Sequence, residues 1–255
     1  MTKIRLKNEE DIAMLRISGG ILARTLTALA ADAKGGVTLA ALDKKARAYI
    51  AAEGAVPTFL GYVPEGMKHP YPAAICTSVN DTVVHGLPGT YVLKEGDILS
   101  IDLGVTYKGY VTDGATTVGI GAISKEAKAL IVSTKEALEK AIKACAPHGH
   151  MGDIGEAVEK TAKKAHFRVL QGLTGHGVGF ALHEDPTVYN YGKKGEGMEL
   201  VPGLVIAIEP MLSAGSPYVV HNPKDDSFAT KDGSLSAHFE HTVAVLEKGI
   251  EVLTK

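Results

Sequence analysis

Two cysteines in 255 residues, Cys76 and Cys145, are too few and too far apart in sequence to make a disulfide framework or a zinc ribbon, and both suit a reducing compartment. Neither acidic nor basic residues are in marked excess. A formal net charge of −2 leaves no basic footprint for nucleic acid. Apolar runs are short, none reaching the length expected of a bilayer-crossing segment, so no membrane association is expected. The first residues, Met1-Thr2-Lys3-Ile4-Arg5-Leu6-Lys7-Asn8, lack the apolar stretch of a secretory leader, and a cytoplasmic location is expected. With 45% apolar and 22% charged residues, the chain can bury a full core as one domain or two fused halves.

Against this plain background one stretch stands out. Gly175-His176-Gly177-Val178-Gly179, followed by His183-Glu184-Asp185-Pro186, strips bulk from around one imidazole and returns with a second. Glycine permits close approach of backbone or ligand at an entropic cost. Phe180 stands where a phosphate-binding Gly-x-Gly-x-x-Gly would need its last glycine, and taken alone the segment reads either as turn chemistry or as a metal or substrate site.

Four carboxylates in apolar surroundings join it. Asp102 lies inside the strand-like run Ile98-Leu99-Ser100-Ile101-Asp102-Leu103-Gly104-Val105, where a charge is costly unless compensated. Asp113 follows eleven positions later, after the turn-forming Tyr107-Lys108-Gly109-Tyr110, and a hairpin there would bring the two aspartates together. Glu209 closes Leu204-Val205-Ile206-Ala207-Ile208, and Glu240 precedes His241-Thr242-Val243-Ala244-Val245. Taken singly, each could be a strand-end carboxylate facing solvent. If all four converge with His176, however, two carboxylates about 4 Å apart repel by roughly 4 kcal/mol at an effective dielectric near 20. Two divalent cations would cancel the four charges, and oxygen ligation with one imidazole suits Mn, Fe(II), Co or Zn. Such a pair of ions, sharing a water, points to hydrolysis.

These residues resemble the type I methionine aminopeptidases, within the pita-bread fold shared with prolidases and creatinase. The resemblance runs over nearly the whole chain. It is carried by Ser78-Val79-Asn80 with Val84-His85-Gly86, Gly96-Asp97-Ile98 through Asp102, the Gly-His-Gly-Val-Gly segment with His183-Glu184, Ile208-Glu209-Pro210-Met211, and Ser234-Leu235-Ser236-Ala237-His238-Phe239-Glu240-His241-Thr242. It implies an α+β fold, with a curved, mostly antiparallel sheet, helices outside and pseudo-two-fold halves at roughly 1–120 and 121–255 of one catalytic domain. It implies that Asp102 chelates one metal, that Asp113 and Glu240 bridge both, and that His176 and Glu209 complete the other, with Glu209 also the general base. His85 and His183 would hold the substrate backbone and stabilise charge on the scissile carbonyl. Phe59, Tyr62, Tyr71, Cys76, Leu182 and Phe228 would line the methionine pocket; Leu182 replaces a frequent Phe, and Phe228 lies near a position that can hold Trp. The implied substrate is a nascent polypeptide N-terminus, met at the ribosome by a monomer, with a small residue after the methionine; Met1-Thr2 of this chain would itself qualify.

Three departures stand beside the resemblance. Gly114 follows Asp113 where relatives place Ser, Thr or another small residue; His238 stands where Gln is common, and could act as an extra donor or fill space; and the loop over 63–70 is longer than usual. Other pita-bread hydrolases, cleaving before proline, and a non-catalytic binding protein on the same scaffold are the alternatives. Among the remaining histidines, His148 and His150 read as a surface turn, His69 and His221 as solvent-facing, His166 as a helix end and His241 as a neighbour of the site. The lysine pairs at 163–164 and 193–194 read as solvated faces.

The rest reads as scaffold. Asn8, Thr38 and Ser124 are expected to cap helices, a fourth helix is expected over 153–165, and strands over 73–119 and again from Phe167.

Overall fold

The computed structural model describes residues 4–63 and 69–255. The start Met1-Thr2 and most of the long loop over 63–70 therefore lie outside the described residues.

Helix α1 (Glu9–Asp32) begins where Asn8 accepts a hydrogen bond from Asp11 N while Asp11 returns one to Asn8 N, a reciprocal cap that closes two otherwise unpaired donors. Its apolar face, Ile12, Leu15, Leu22, Leu26 and Leu29, is buried. By length and composition α1 could cross a bilayer, contrary to the reading that no segment reaches that size. In the fold it lies instead against β4 (Ile98–Tyr107) and β5 (Tyr110–Gly119), which accounts for its apolar stripe. Thr38 caps α2 (Leu39–Ala52) and Ser124 caps α3 (Lys125–Ala144), both as expected. Helix α4 (Met151–Lys164) starts two residues early because His150 serves as its N-cap position, with its N–H donating to Asp153, and is not simply a surface turn.

Around these helices the short strands β1 (Val56–Pro57), β2 (Cys76–Val79) and β3 (Thr82–Val84) precede the long hairpin. After α4 come β6 (Arg168–Val169), β7 (Thr174–Gly177), β8 (Glu184–Tyr189), β9 (Val205–Ile208), β10 (Met211–Ser213), β11 (Val219–His221), β12 (Phe228–Thr230), β13 (Ser236–His238), β14 (His241–Leu246) and β15 (Gly249–Val252). All named strand pairs are antiparallel. The order β1-β4-β2, with β5 beside β4, forms one sheet, and β15-β14-β9-β7-β8 forms another.

Each sheet buries alternate residues against its own helix pair. Leu99, Ile101, Leu103 and Val105 of β4 pack with α1 and α2, and Ile206, Ile208, Val243 and Val245 of β9 and β14 pack with α3 and α4. Because side chains alternate along a strand, the intervening positions turn the other way. Those positions hold the acidic residues. The sheets meet where Ala115 and Glu240 exchange backbone hydrogen bonds and Thr242 Oγ1 both accepts from Asp113 N and donates to Asp113 O.

Candidate metal centre and substrate cleft

The hairpin register pairs Asp102 with Ala115 and Gly104 with Asp113, so the two aspartates lie diagonally on one face. Glu240 reaches the same spot from the facing sheet through its backbone contact with Ala115. Glu209, one residue past β9, has the strand parity of Val205 and Ala207, which also avoid the α3–α4 core. His176 arrives on β7. Its Nε2 lies 3.8 Å from Asp113 Oδ2 and 3.6 Å from Glu209 Oε1, while its Nδ1 faces the Gly177 carbonyl oxygen at 2.9 Å. All five residues expected from the sequence thus line one cleft of about 1110 Å³.

Of the two causes expected for the glycines around His176, the structure shows the close approach of backbone. A Cβ on Gly175 would stand 2.3 Å from the Ala207 carbonyl oxygen, and one on Gly177 would stand 2.2 Å from that of Asp185. Neighbouring strand backbones demand the missing side chains. At Gly114 the neighbour is a side chain instead: a Cβ there would sit 2.9 Å from a terminal methyl of Leu22 in α1, which would have to give way; the Gly114 N–H donates to Asp113 Oδ1 and steadies that carboxylate.

Electrostatics sets the chemistry of this cluster. Burial pushes Asp102, Asp113, Glu209 and Glu240 above the usual carboxylate range, and the mutual repulsion of Asp102, Glu209 and Glu240 with their acidic neighbours adds to it. Burial also pushes His176 down to about 4, which leaves a neutral imidazole with a lone pair to give. Asp102 Oδ1 and Glu240 Oε1 are buried without a hydrogen-bond partner among the described residues. Donor atoms from Asp113, His176 and Glu240 lie within 4.8 Å of one another, as do donors from Glu209, His238 and Glu240. Orphaned buried oxygens in a crowd of like charges are what a divalent cation resolves.

Histidine and aromatic side chains build the walls. The His183 ring meets that of His176 edge-on at 4.5 Å, and the Tyr62 hydroxyl lies 2.7 Å from His183 Nδ1. His85, with φ +63°, faces the Phe228 ring at 5.9 Å. Five of the six expected pocket residues, Phe59, Tyr62, Tyr71, Cys76 and Leu182, share one apolar cluster. Phe228 belongs to another, on Val84 and Met211 across the cleft. His241 turns away from the acidic cluster, with Nδ1 2.9 Å from Thr254 Oγ1.

Comparison with known proteins decides the family. Residues 13–247 match metallopeptidase family M24. The chain is 45% identical to the methionine aminopeptidase of Aquifex aeolicus over 257 residues, 99% of each chain, and 42% identical to that of Clostridium acetobutylicum over 98% of each. It belongs to the methionine aminopeptidases of metallopeptidase family M24. The fold agrees: a methionine aminopeptidase from Thermotoga maritima superposes with a TM-score of 0.94 at 39% identity, covering 99% of this chain and 100% of that one. A prolidase from Pyrococcus furiosus shares the pita-bread fold, with a TM-score of 0.76 at 22% identity over 98% of this chain and 65% of that one. Metallopeptidases of this family use divalent metal, and the donor set described above fits that use.

Within this methionine aminopeptidase fold, the sequence left His238 open between an extra donor and a space-filler and gave no role to Lys7 and Arg5. His238 lies against Glu209 and Glu240. The spacing His238-x-Glu240 was a usable signal, because residues two apart on an extended chain share a face. Lys7 pairs with Glu184 at 2.6 Å across 177 positions, and Arg5 stacks over Phe180 at 4.2 Å; no local pattern announces either.

Proposed function

We propose that the chain removes the N-terminal methionine from nascent polypeptides, with Asp102, Asp113, His176, Glu209 and Glu240 holding two divalent ions drawn from Co, Mn, Fe(II) or Zn. The observation that carries this reading is the buried meeting of four carboxylates and one imidazole beside an apolar cluster that lines the same cleft. Four carboxylates match two divalent ions in charge. When bound, such ions cancel the repulsion, make water acidic enough to attack at neutral pH and polarise a carbonyl.

The protein's own groups do the rest. Glu209 is the general base, taking the proton of the attacking water and passing it to the leaving amine. His85 and His183 hold the substrate backbone and stabilise charge growing on the scissile carbonyl oxygen; the contact with Tyr62 fixes the ring of His183. Phe59, Tyr62, Tyr71, Cys76 and Leu182 receive the methionine side chain, with Phe228 opposite, and the next residue must be small to fit. The chain acts as one catalytic domain whose halves, roughly 1–120 and 121–255, meet at the cleft. It works as a monomer in the cytoplasm on chains emerging from the ribosome, a placement that follows from the substrate.

A Met-Ala-Ser peptide separates this activity from cleavage before proline in an Ala-Pro peptide. The enzyme is expected to release methionine from the first and leave the second intact. Glu209→Gln, nearly isosteric, is expected to abolish release while the protein stays folded. Substantial turnover by that variant would refute the assigned base.

A further inference from the structure

His238 is 1% exposed, and neither ring nitrogen has a hydrogen-bond partner among the described residues. A core histidine that merely fills space normally satisfies at least one nitrogen. Its backbone is anchored on both sides: it pairs with Met211 of β10, while Thr117 Oγ1 accepts from His238 N and donates to His238 O. The ring is thereby set into the acidic cluster, with Nε2 3.4 Å from Glu209 Oε2 and 3.9 Å from Glu240 Oε2.

These separations are long for hydrogen bonds, which run about 2.7–3.2 Å. They suit donors around a common cation: nitrogen and oxygen ligands about 2.1 Å from a tetrahedral ion stand roughly 3.4 Å apart. The contacts of His176 with Asp113 and Glu209, at 3.8 and 3.6 Å, have the same character. We propose that His238 is a second imidazole ligand of the centre, its Nε2 converging with Glu209 and Glu240 on a divalent transition-metal ion. The proton then resides on Nδ1. A second nitrogen donor shifts the site toward Zn, Co and Fe(II) and away from Mg or Mn, which favour all-oxygen sets.

The inference rests on the metal-centre reading above, and the test separates the two. Metal-free wild type, His238→Gln and His176→Gln are titrated with Co(II) by calorimetry to two equivalents, and imidazole ligands are counted by X-ray absorption. Circular dichroism melts of the metal-free proteins verify folding, and His238→Asn replaces any variant that fails it. Loss of groups that only support a ligand already weakens metal binding about 10–100-fold, so His238→Gln is expected to lose at least tenfold in Co(II) affinity. It should also lose one imidazole, whereas His176→Gln retains the imidazole of His238. If wild type holds a single imidazole and His238→Gln matches it in count and affinity, His238 is no ligand and the metal centre stands without it. If wild type takes up no Co(II), the metal centre fails and the proposal falls with it.

Discussion

Lys7→Met is a demanding test of how the cleft wall is held. The Lys7 ammonium and Glu184 carboxylate meet at 2.6 Å with side chains only 1% and 9% exposed. Glu184 also accepts hydrogen bonds from Phe180 N and Ala181 N, so one carboxylate ties the N-terminal segment to the loop that carries His183. Burial holds Lys7 below the usual lysine range while Glu184 opposes it, so the intact pair adds little net stability. Breaking it is another matter. Removing one partner of a buried pair costs about 3–5 kcal/mol, and the two backbone donors left to Glu184 place this case near 3. For a chain of this size, that lowers Tm by roughly 6–12 °C. Thermal and urea denaturation followed by circular dichroism would measure it. Adding Glu184→Gln should recover part of the loss, because the stranded charge disappears. A Tm within 2 °C of wild type for Lys7→Met, or fully additive losses in the double variant, would refute the argument.

Three other outcomes follow from the packing and charge. Gly19→Ala in α1 would put a Cβ 2.1 Å from the Leu253 carbonyl oxygen; overpacking against backbone should cost about 1–3 kcal/mol, read as a lower urea midpoint. Asp153 accepts hydrogen bonds from His150 N and Gly195 N, and the first of these chiefly holds its carboxyl below the usual range. A depressed carboxylate stabilises fully above its unfolded pKa and loses that contribution as pH falls through the folded one. Asp153→Ala should therefore cost about 1 kcal/mol at pH 7, and the gap to wild type should close in acid. Stripping metal with a chelator should lower Tm, since a ligand present at 100 times its Kd stabilises by about 2.7 kcal/mol. An unchanged melt of verified metal-free protein would count against a bound cation.

Local chemistry made much of the scaffold legible. Asn8, Thr38 and Ser124 are cap residues whose side chains bond within three positions, and the spacing of Ile12, Leu15, Leu22, Leu26 and Leu29 marks a helix face without reference to anything distant. The hairpin joining Asp102 to Asp113 was legible for the same reason, because an eleven-residue separation across a short turn leaves little choice of register. His238 shares its parity with Glu240, yet was left open between an extra donor and a space-filler, because the distance of its ring from Glu209 is set by packing between separate strands.

The sequence by itself determined where α1, α2 and α3 start and which side chains can donate to a metal, since these depend on neighbours a few bonds away. Tertiary structure alone decided that Glu240 would pair its backbone with Ala115, that Lys7 would neutralise Glu184 and that Gly175 and Gly177 must lack a side chain. Those outcomes depend on close packing between elements far apart along the chain, where a carbonyl oxygen two or three ångströms away sets the limit.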